Sequence, residues 1–180
     1  MSKALLLIDI QNDYFPGGKS ELANTDKALE RATTVLDAFR DKNLPVIHIR
    51  HINLNPGAAF FLPNTAGAEI HPLLTPAAGE TIITKHFPNS FCNTNLAEII
   101  KEKGITELVI CGMMTHMCID TTVRAAKDHN IPVTLIKDAC ATKDLVYDGE
   151  TISAEQVSSV FFASLNQMFA FIISAEELIV

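Results

Sequence analysis

Leu108-Val109-Ile110-Cys111-Gly112-Met113-Met114-Thr115-His116-Met117-Cys118 is the stretch that decides how this chain is read. An apolar run meets a glycine, and a helix-like segment, Ile119 to His129, follows. The pattern predicts a strand, a tight turn and a helix, with Cys118 in the first turn of that helix. A helix N-terminus carries a partial positive charge and unpaired N–H groups. Both favour a thiolate over a thiol. The same N–H groups can hold the oxyanion formed when sulphur attacks a carbonyl. A lone cysteine is more often a small buried hydrophobe. Two charged residues elsewhere in the chain shift the balance toward chemistry.

Working outward, further apolar runs read as strands. They are Ala4 to Ile8, ending in Asp9; Leu44 to Ile49; Thr81 to Thr84, ending at Lys85; Glu107 to Cys111; Pro132 to Ile136; and Ala170 to Ile173. The runs are continuous rather than alternating, which suits strands buried on both faces. Helical spacing separates them. Ala28, Ala32, Val35, Leu36 and Phe39 follow an Asn24-Thr25 cap candidate. Leu96, Ile99 and Ile100 precede Gly104, a natural stop. Ser153-Ala154-Glu155-Gln156 is a capping-box pattern, and Val157, Val160, Phe161, Ser164, Leu165 and Met168 mark one face behind it. The alternation predicts an α/β fold with a mainly parallel sheet, as one domain over residues 1–180. The exception is His51 to Gly79, rich in Pro and Gly. A loop of that length is expected to cover or serve a site.

Ligands of open parallel sheets bind at the carboxyl ends of strands, where strand order reverses. Asp9, Lys85 and Cys118 each follow a different strand, so neighbouring strands would bring them together. Asp9 could take the thiol proton, and Lys85 could orient the carboxylate and stabilise a thiolate. Taken singly, Asp9 also reads as a turn cap and Lys85 as a surface residue. The three together are harder to read that way.

The formal net charge of −7 argues against nucleic acid, whose phosphates need a basic surface. No apolar run approaches the ~18 residues of a membrane span. The start is too short and too early-charged for a secretory signal. Cys92, Cys111, Cys118 and Cys140 form no C-x-x-C pair. Reduced thiols in a cytoplasmic protein are therefore expected.

Four segments together resemble the isochorismatase-like cysteine hydrolases. They are Asp9-Ile10-Gln11-Asn12-Asp13-Tyr14-Phe15; Lys85-His86-Phe87-Pro88-Asn89-Ser90-Phe91 with Thr94 and Leu96; Gly112 to Cys118 with Thr121, Thr122, Arg124, Ala125 and Ala126; and Asp138-Ala139-Cys140-Ala141. The resemblance covers nearly the whole chain. It implies a three-layer, Rossmann-like fold with a six-stranded parallel sheet and helices on both faces. It implies Asp9 as base, Lys85 as its ion partner and Cys118 as nucleophile. It also implies a cis peptide between Met113 and Met114, with the Met114 and Cys118 N–H groups as the oxyanion hole. Gln11, Phe15, Phe60, Phe61, Ser90, Phe91 and His116 become candidates for the substrate pocket, with Phe60-Phe61 as a lid. Each Phe reads equally as core.

The implied activity is hydrolysis of a C–N bond in a small amide or carbamoyl compound, through a thioester. Vinyl ether cleavage of the isochorismatase kind is an alternative that needs no cysteine. A catalytically idle binding protein of the same fold, and a redox sensor pairing Cys118 with Cys140, are others. A homo-oligomer is implied as well. Nicotinamidases of this family carry a metal-binding Asp-x-His pair after the second strand. Here that stretch reads His48-Ile49-Arg50-His51-Ile52-Asn53, so neither metal nor other cofactor is expected, and nicotinamide is a weaker substrate. His48, His51, His71, His86 and His116 read as scattered core and loop residues.

Overall fold

The computed structural model describes residues 2–179. Met1 and Val180, the two ends of the expected domain, lie outside the described residues. The strands are β1 (Ser2–Ile8), β2 (Val46–His51), β3 (Thr81–Lys85), β4 (Ile105–Met113), β5 (Val133–Ala141), β6 (Leu145–Tyr147), β7 (Glu150–Ile152) and β8 (Phe171–Ile173). The helices are α1 (Thr25–Asp41), α2 (Leu96–Glu102), α3 (Asp120–Asp128), α4 (Ala154–Leu165) and α5 (Ala175–Ile179). Six strands form one sheet in the order β3-β2-β1-β4-β5-β8, and each of its pairings is parallel. β6 and β7 make a separate antiparallel hairpin.

The apolar run of β1 is continuous because both faces of the sheet are covered. Leu5 and Leu7 join the core under α1, together with Ala28, Ala32, Val35, Leu36 and Phe39. Ala4, Leu6 and Ile8 join the opposite core, with Leu96 and Ile100 of α2, Val123 and Ala126 of α3 and Leu165 of α4. The central strand thus feeds alternate side chains to two helical layers.

Several boundaries differ from the sequence reading. β2 begins and ends two residues later, so His51 rather than Ile49 closes it. β5 runs on to Ala141 instead of stopping before Lys137-Asp138. Its pairing with β4 changes register between Ile110 and Gly112, which takes up the polar pair and resumes at Gly112 opposite Cys140. The β6–β7 hairpin was not anticipated, although Asp148-Gly149, both at positive φ, is the two-residue signal for one. Asn24 makes no side-chain cap bond, whereas Ser153 and Gln156 form the expected capping box.

Candidate active site

β1, β2 and β3 step out in one direction from the sheet's middle, and β4, β5 and β8 step out in the other. The crevice between the ends of β1 and β4 is therefore the point where strand order reverses. Gly112 makes this crevice tight. Its φ is +132°, and a Cβ there would overlap the Ile8 carbonyl of β1. One residue beyond Ile8, Asp9 turns into the left-handed region at φ +52°, a conformation that aspartate tolerates better than most residues. That turn lifts its carboxylate out of the strand line.

Cys118 does not lie in the first turn of an α-helix. It sits in a wide π-type turn, Thr115–Ile119, and α3 begins only at Asp120. The Met113–Met114 peptide ahead of it is cis. Lys85 lies two strands from β1, so its side chain crosses the end of β2 to arrive.

Three side chains meet there. Lys85 Nζ lies 2.7 Å from Asp9 Oδ2 and 3.2 Å from Cys118 Sγ. Asp9 and Lys85 are 0% exposed and Cys118 is 5% exposed. The contact between Asp9 Oδ2 and Lys85 is short, buried and charge-assisted, and lone pairs of the carboxylate remain for a proton. Burial opposes the charge on Lys85, but Asp9 and Cys118 outweigh it and hold its pKa above the ordinary value. Burial also pushes the Cys118 thiol far up, Asp9 adds to this, and Lys85 pulls the other way. Burial and Asp9 thus work against the thiolate that a helix N-terminus would favour, and Lys85 works for it.

A fourth group was not foreseen at this point. His51 closes β2 with its Nδ1 3.0 Å from Lys85 Nζ. Burial first, and then Lys85, lower its pKa to about 4, so the ring is neutral near pH 7. Gln11 holds the His51 backbone from both sides: its Oε1 accepts from the His51 N–H at 2.8 Å, and its Nε2 donates to the His51 carbonyl at 2.9 Å. Nε2 also donates to the Ala68 carbonyl at 2.7 Å. The Gln11 amide thus ties the end of β2 and the long loop to the segment after Asp9.

The long loop is stitched to this same segment. Asp13 Oδ2 accepts from the Phe61 N–H at 2.7 Å, and Asn12 donates to the Ala66 carbonyl at 2.8 Å. Phe61, Phe60 and Tyr14 form an aromatic cluster, with the Tyr14 and Phe61 rings 4.6 Å apart and the Tyr14 and Phe60 rings 5.9 Å apart. The Phe61 ring lies 6.0 Å from His51, which brings the cluster against the triad. Tyr14 belongs to the opening motif but was not among the pocket candidates. Burial first, and then the neighbouring Cys118 and Asp9, raise the pKa of its hydroxyl.

The other pocket candidates lie differently. Phe15 packs on His71 at 4.4 Å between ring centres. Ser90 accepts from Thr122 Oγ1 at 2.9 Å, tying the lysine loop to α3. Phe91 stacks on His129 at 4.6 Å. His116 pairs through Nδ1 with Thr142 and lies 6.1 Å from the Phe161 ring. These contacts pack all four side chains against neighbouring elements.

The histidines are dispersed. His48 pairs with Glu80 at 2.8 Å, His71 accepts from the Leu73 N–H, and His86 bonds the Ile52 carbonyl at 2.7 Å. Asp9, His51 and Cys118 do offer donor atoms within 4.8 Å of one another. The Lys85 ammonium stands between those atoms, in contact with all three. A second cation there would face it at short range, so the trio fits an ammonium and not a metal.

With this geometry in hand, comparison with known proteins is specific. A family model described as Isochorismatase domain matches residues 3–177. The Bacillus subtilis (strain 168) protein called "Uncharacterized isochorismatase family protein YddQ" is 48% identical over 176 residues, covering 98% of each chain. The crystal structure of a putative isochorismatase hydrolase from Oleispira antarctica superposes with a TM-score of 0.95 at 45% identity, covering 99% of this chain and 96% of that one. A nicotinamidase of Escherichia coli (strain K12) is 26% identical over 175 residues, covering 77% of this chain and 82% of its own.

Proposed function

Because the chain belongs to the isochorismatase family of hydrolases, we propose that it cleaves the C–N bond of a small amide or carbamoyl compound, with Cys118 as nucleophile. The observation that carries this reading is the buried Lys85 ammonium shared between Asp9 and Cys118, at 2.7 and 3.2 Å. The nicotinamidase relative supports amide chemistry. The chain has no Asp-x-His pair after β2, so nicotinamide itself is not the leading substrate.

The reaction runs in two halves. Cys118 Sγ attacks the carbonyl carbon as its proton passes to Asp9. The tetrahedral oxyanion is held by the N–H groups of Met114 and Cys118. Asp9 then protonates the leaving amine, the C–N bond breaks and a thioester remains. Asp9 next takes a proton from water, whose oxygen displaces the sulphur, and the proton returns to Cys118. Lys85 keeps the carboxylate in place throughout. The sealed triad and the aromatic cluster of Tyr14, Phe60 and Phe61 favour a small substrate with a flat or apolar body.

A reducing compartment such as the cytoplasm suits a free catalytic thiol, and the cysteines are free among the described residues. No described helix is long and apolar enough to cross a membrane. Exposed apolar side chains on the hairpin and α4, Val146, Tyr147 and Val160, support a homo-oligomer.

The test is ammonia release from a panel of small amides and carbamoyl compounds, with isochorismate and a pyruvate readout included. Cys118→Ala should lower ammonia release by at least about 10³-fold, the scale of losing a covalent nucleophile. Pyruvate release that survives this substitution would replace the reading with ether cleavage through Asp9. Ammonia release that survives it would remove Cys118 from the mechanism.

A further inference from the structure

Lys85 Nζ has more acceptors than protons. Asp9 Oδ2 lies at 2.7 Å, His51 Nδ1 at 3.0 Å, the Phe87 carbonyl at 3.1 Å and Cys118 Sγ at 3.2 Å. An ammonium has three N–H bonds. His51, the Phe87 carbonyl and Cys118 accept hydrogen bonds from it, and Asp9 is the nearest acceptor of the four. His51 Nδ1 faces a donor, so it is the unprotonated ring nitrogen and the proton sits on Nε2. The Gln11 clamp on the His51 backbone sets where that nitrogen stands.

We propose that His51 is a positioning residue that competes with Asp9 and Cys118 for the N–H bonds of Lys85. By occupying one of them it limits what Lys85 can offer the sulphur and the carboxylate, and so favours the protonated form of Cys118. The consequence is chemical. The leaving amine needs a proton, and in the proposed reaction that proton starts on Cys118 and travels through Asp9. A site that lost it to bulk water would hold a thiolate beside a carboxylate, and the leaving amine would have to draw its proton from Lys85, whose charge holds both anions in place. His51 thus conserves the proton that the first half-reaction consumes. The inference rests on Cys118 as the nucleophile.

The groups facing the sulphur are Asp9 from the end of β1, Lys85 from β3, His51 from β2 and Tyr14 from the turn after β1. Those facing His51 are Lys85, Asp9 and His86. Removing the neutral imidazole acceptor frees an N–H for Sγ or for Asp9. Either outcome stabilises the thiolate, the first directly and the second by neutralising its acidic neighbour.

The test is the pH dependence of Cys118 alkylation by iodoacetamide, read at that residue by peptide mass spectrometry. It needs no substrate, so it stands or falls separately from the ammonia assay. His51→Leu keeps bulk without an acceptor, and His51→Ala serves if leucine does not fold. Either should lower the alkylation midpoint by about one pH unit, the lower end of shifts caused by a nearby charge. The alkaline limb of kcat/KM should move down with it on any substrate found. His51→Asn, which returns an acceptor near the Nδ1 position, should restore both. A midpoint that stays put or rises while activity falls would mean that His51 only packs, and would overturn the inference.

Discussion

Asp9 shows how much one residue is asked to do. It carries a left-handed backbone, a fully buried carboxylate and an ion pair with an equally buried lysine. Such a pair is held by mutual dependence: removing one partner strands a charge in the interior. Lys85→Met should therefore destabilise the protein by about 3–5 kcal/mol in urea unfolding. Asp9→Asn combined with Lys85→Met should recover a large part of that loss, because no charge is then left unpaired. A single Lys85→Met costing under about 1 kcal/mol, the scale of an exposed pair, would mean that the ion pair is solvated in solution. Asp9 and Lys85 were legible as strand-end residues. His51 was legible only as one histidine of several, because nothing local distinguishes a ring facing an ammonium from one facing solvent.

The turn from β4 to α3 is where sequence and structure part most clearly at the level of elements. The apolar run, the glycine and the cysteine were read in the right order, yet Cys118 sits in a π-type turn ahead of α3, which starts at Asp120, rather than in the first turn of an α-helix. Gly112 is demanded by a neighbour rather than by its own turn, since the Ile8 carbonyl fills the space of a side chain. Gly112→Ala should cost at least about 3 kcal/mol, because a strained φ is combined with overlap against backbone. Gly149→Ala in the hairpin turn meets open space at φ +79° and should cost only about 1–2 kcal/mol. Urea titration of both variants separates the two causes. Equal losses would show that φ strain alone explains Gly112.

At the scale of the whole molecule, buried neutral histidines and a carboxylate held ionised give stability a defined acid edge. An unfolded histidine takes up its proton near pH 6.5, about the model value. Folded His51 does so only near 4, and burial lowers His48 as well. In that window the unfolded chain binds more protons, so stability falls as pH drops from about 6.5 toward 4. Glu80 follows. Its hydrogen bond with Arg40 is the largest cause holding it down to about 2, so its contribution is present above about 4.5 and lost toward 2. Glu80 ties the end of the long loop to α1 and β2 through Arg40, His48 and the Ala77 N–H. Thermal unfolding midpoints should therefore decline in two stages. Glu80→Gln should flatten the lower stage and deepen the upper one, because it also removes the carboxylate that partly offsets burial at His48. A midpoint level from pH 7 to 4 would contradict the placement of both histidines.

The sequence by itself determined the layers and the chemistry on offer. Continuous apolar runs mean strands covered on both faces, helical spacing between them means a parallel sheet, and Asp9 and Lys85 stand where two of those runs give out. These are local patterns, and one chain displays them in full. The tertiary structure alone decided what those residues do to one another. Sheet order separates Lys85 from Asp9 by a whole strand, which is why the lysine reaches across β2 and meets His51 on the way. The protonation of Cys118 followed the same logic. Helix-end charge can be read from a short window, but desolvation depends on everything packed around the sulphur. Those neighbours come from the ends of β1, β2 and β3, distant in sequence and adjacent only in the folded sheet.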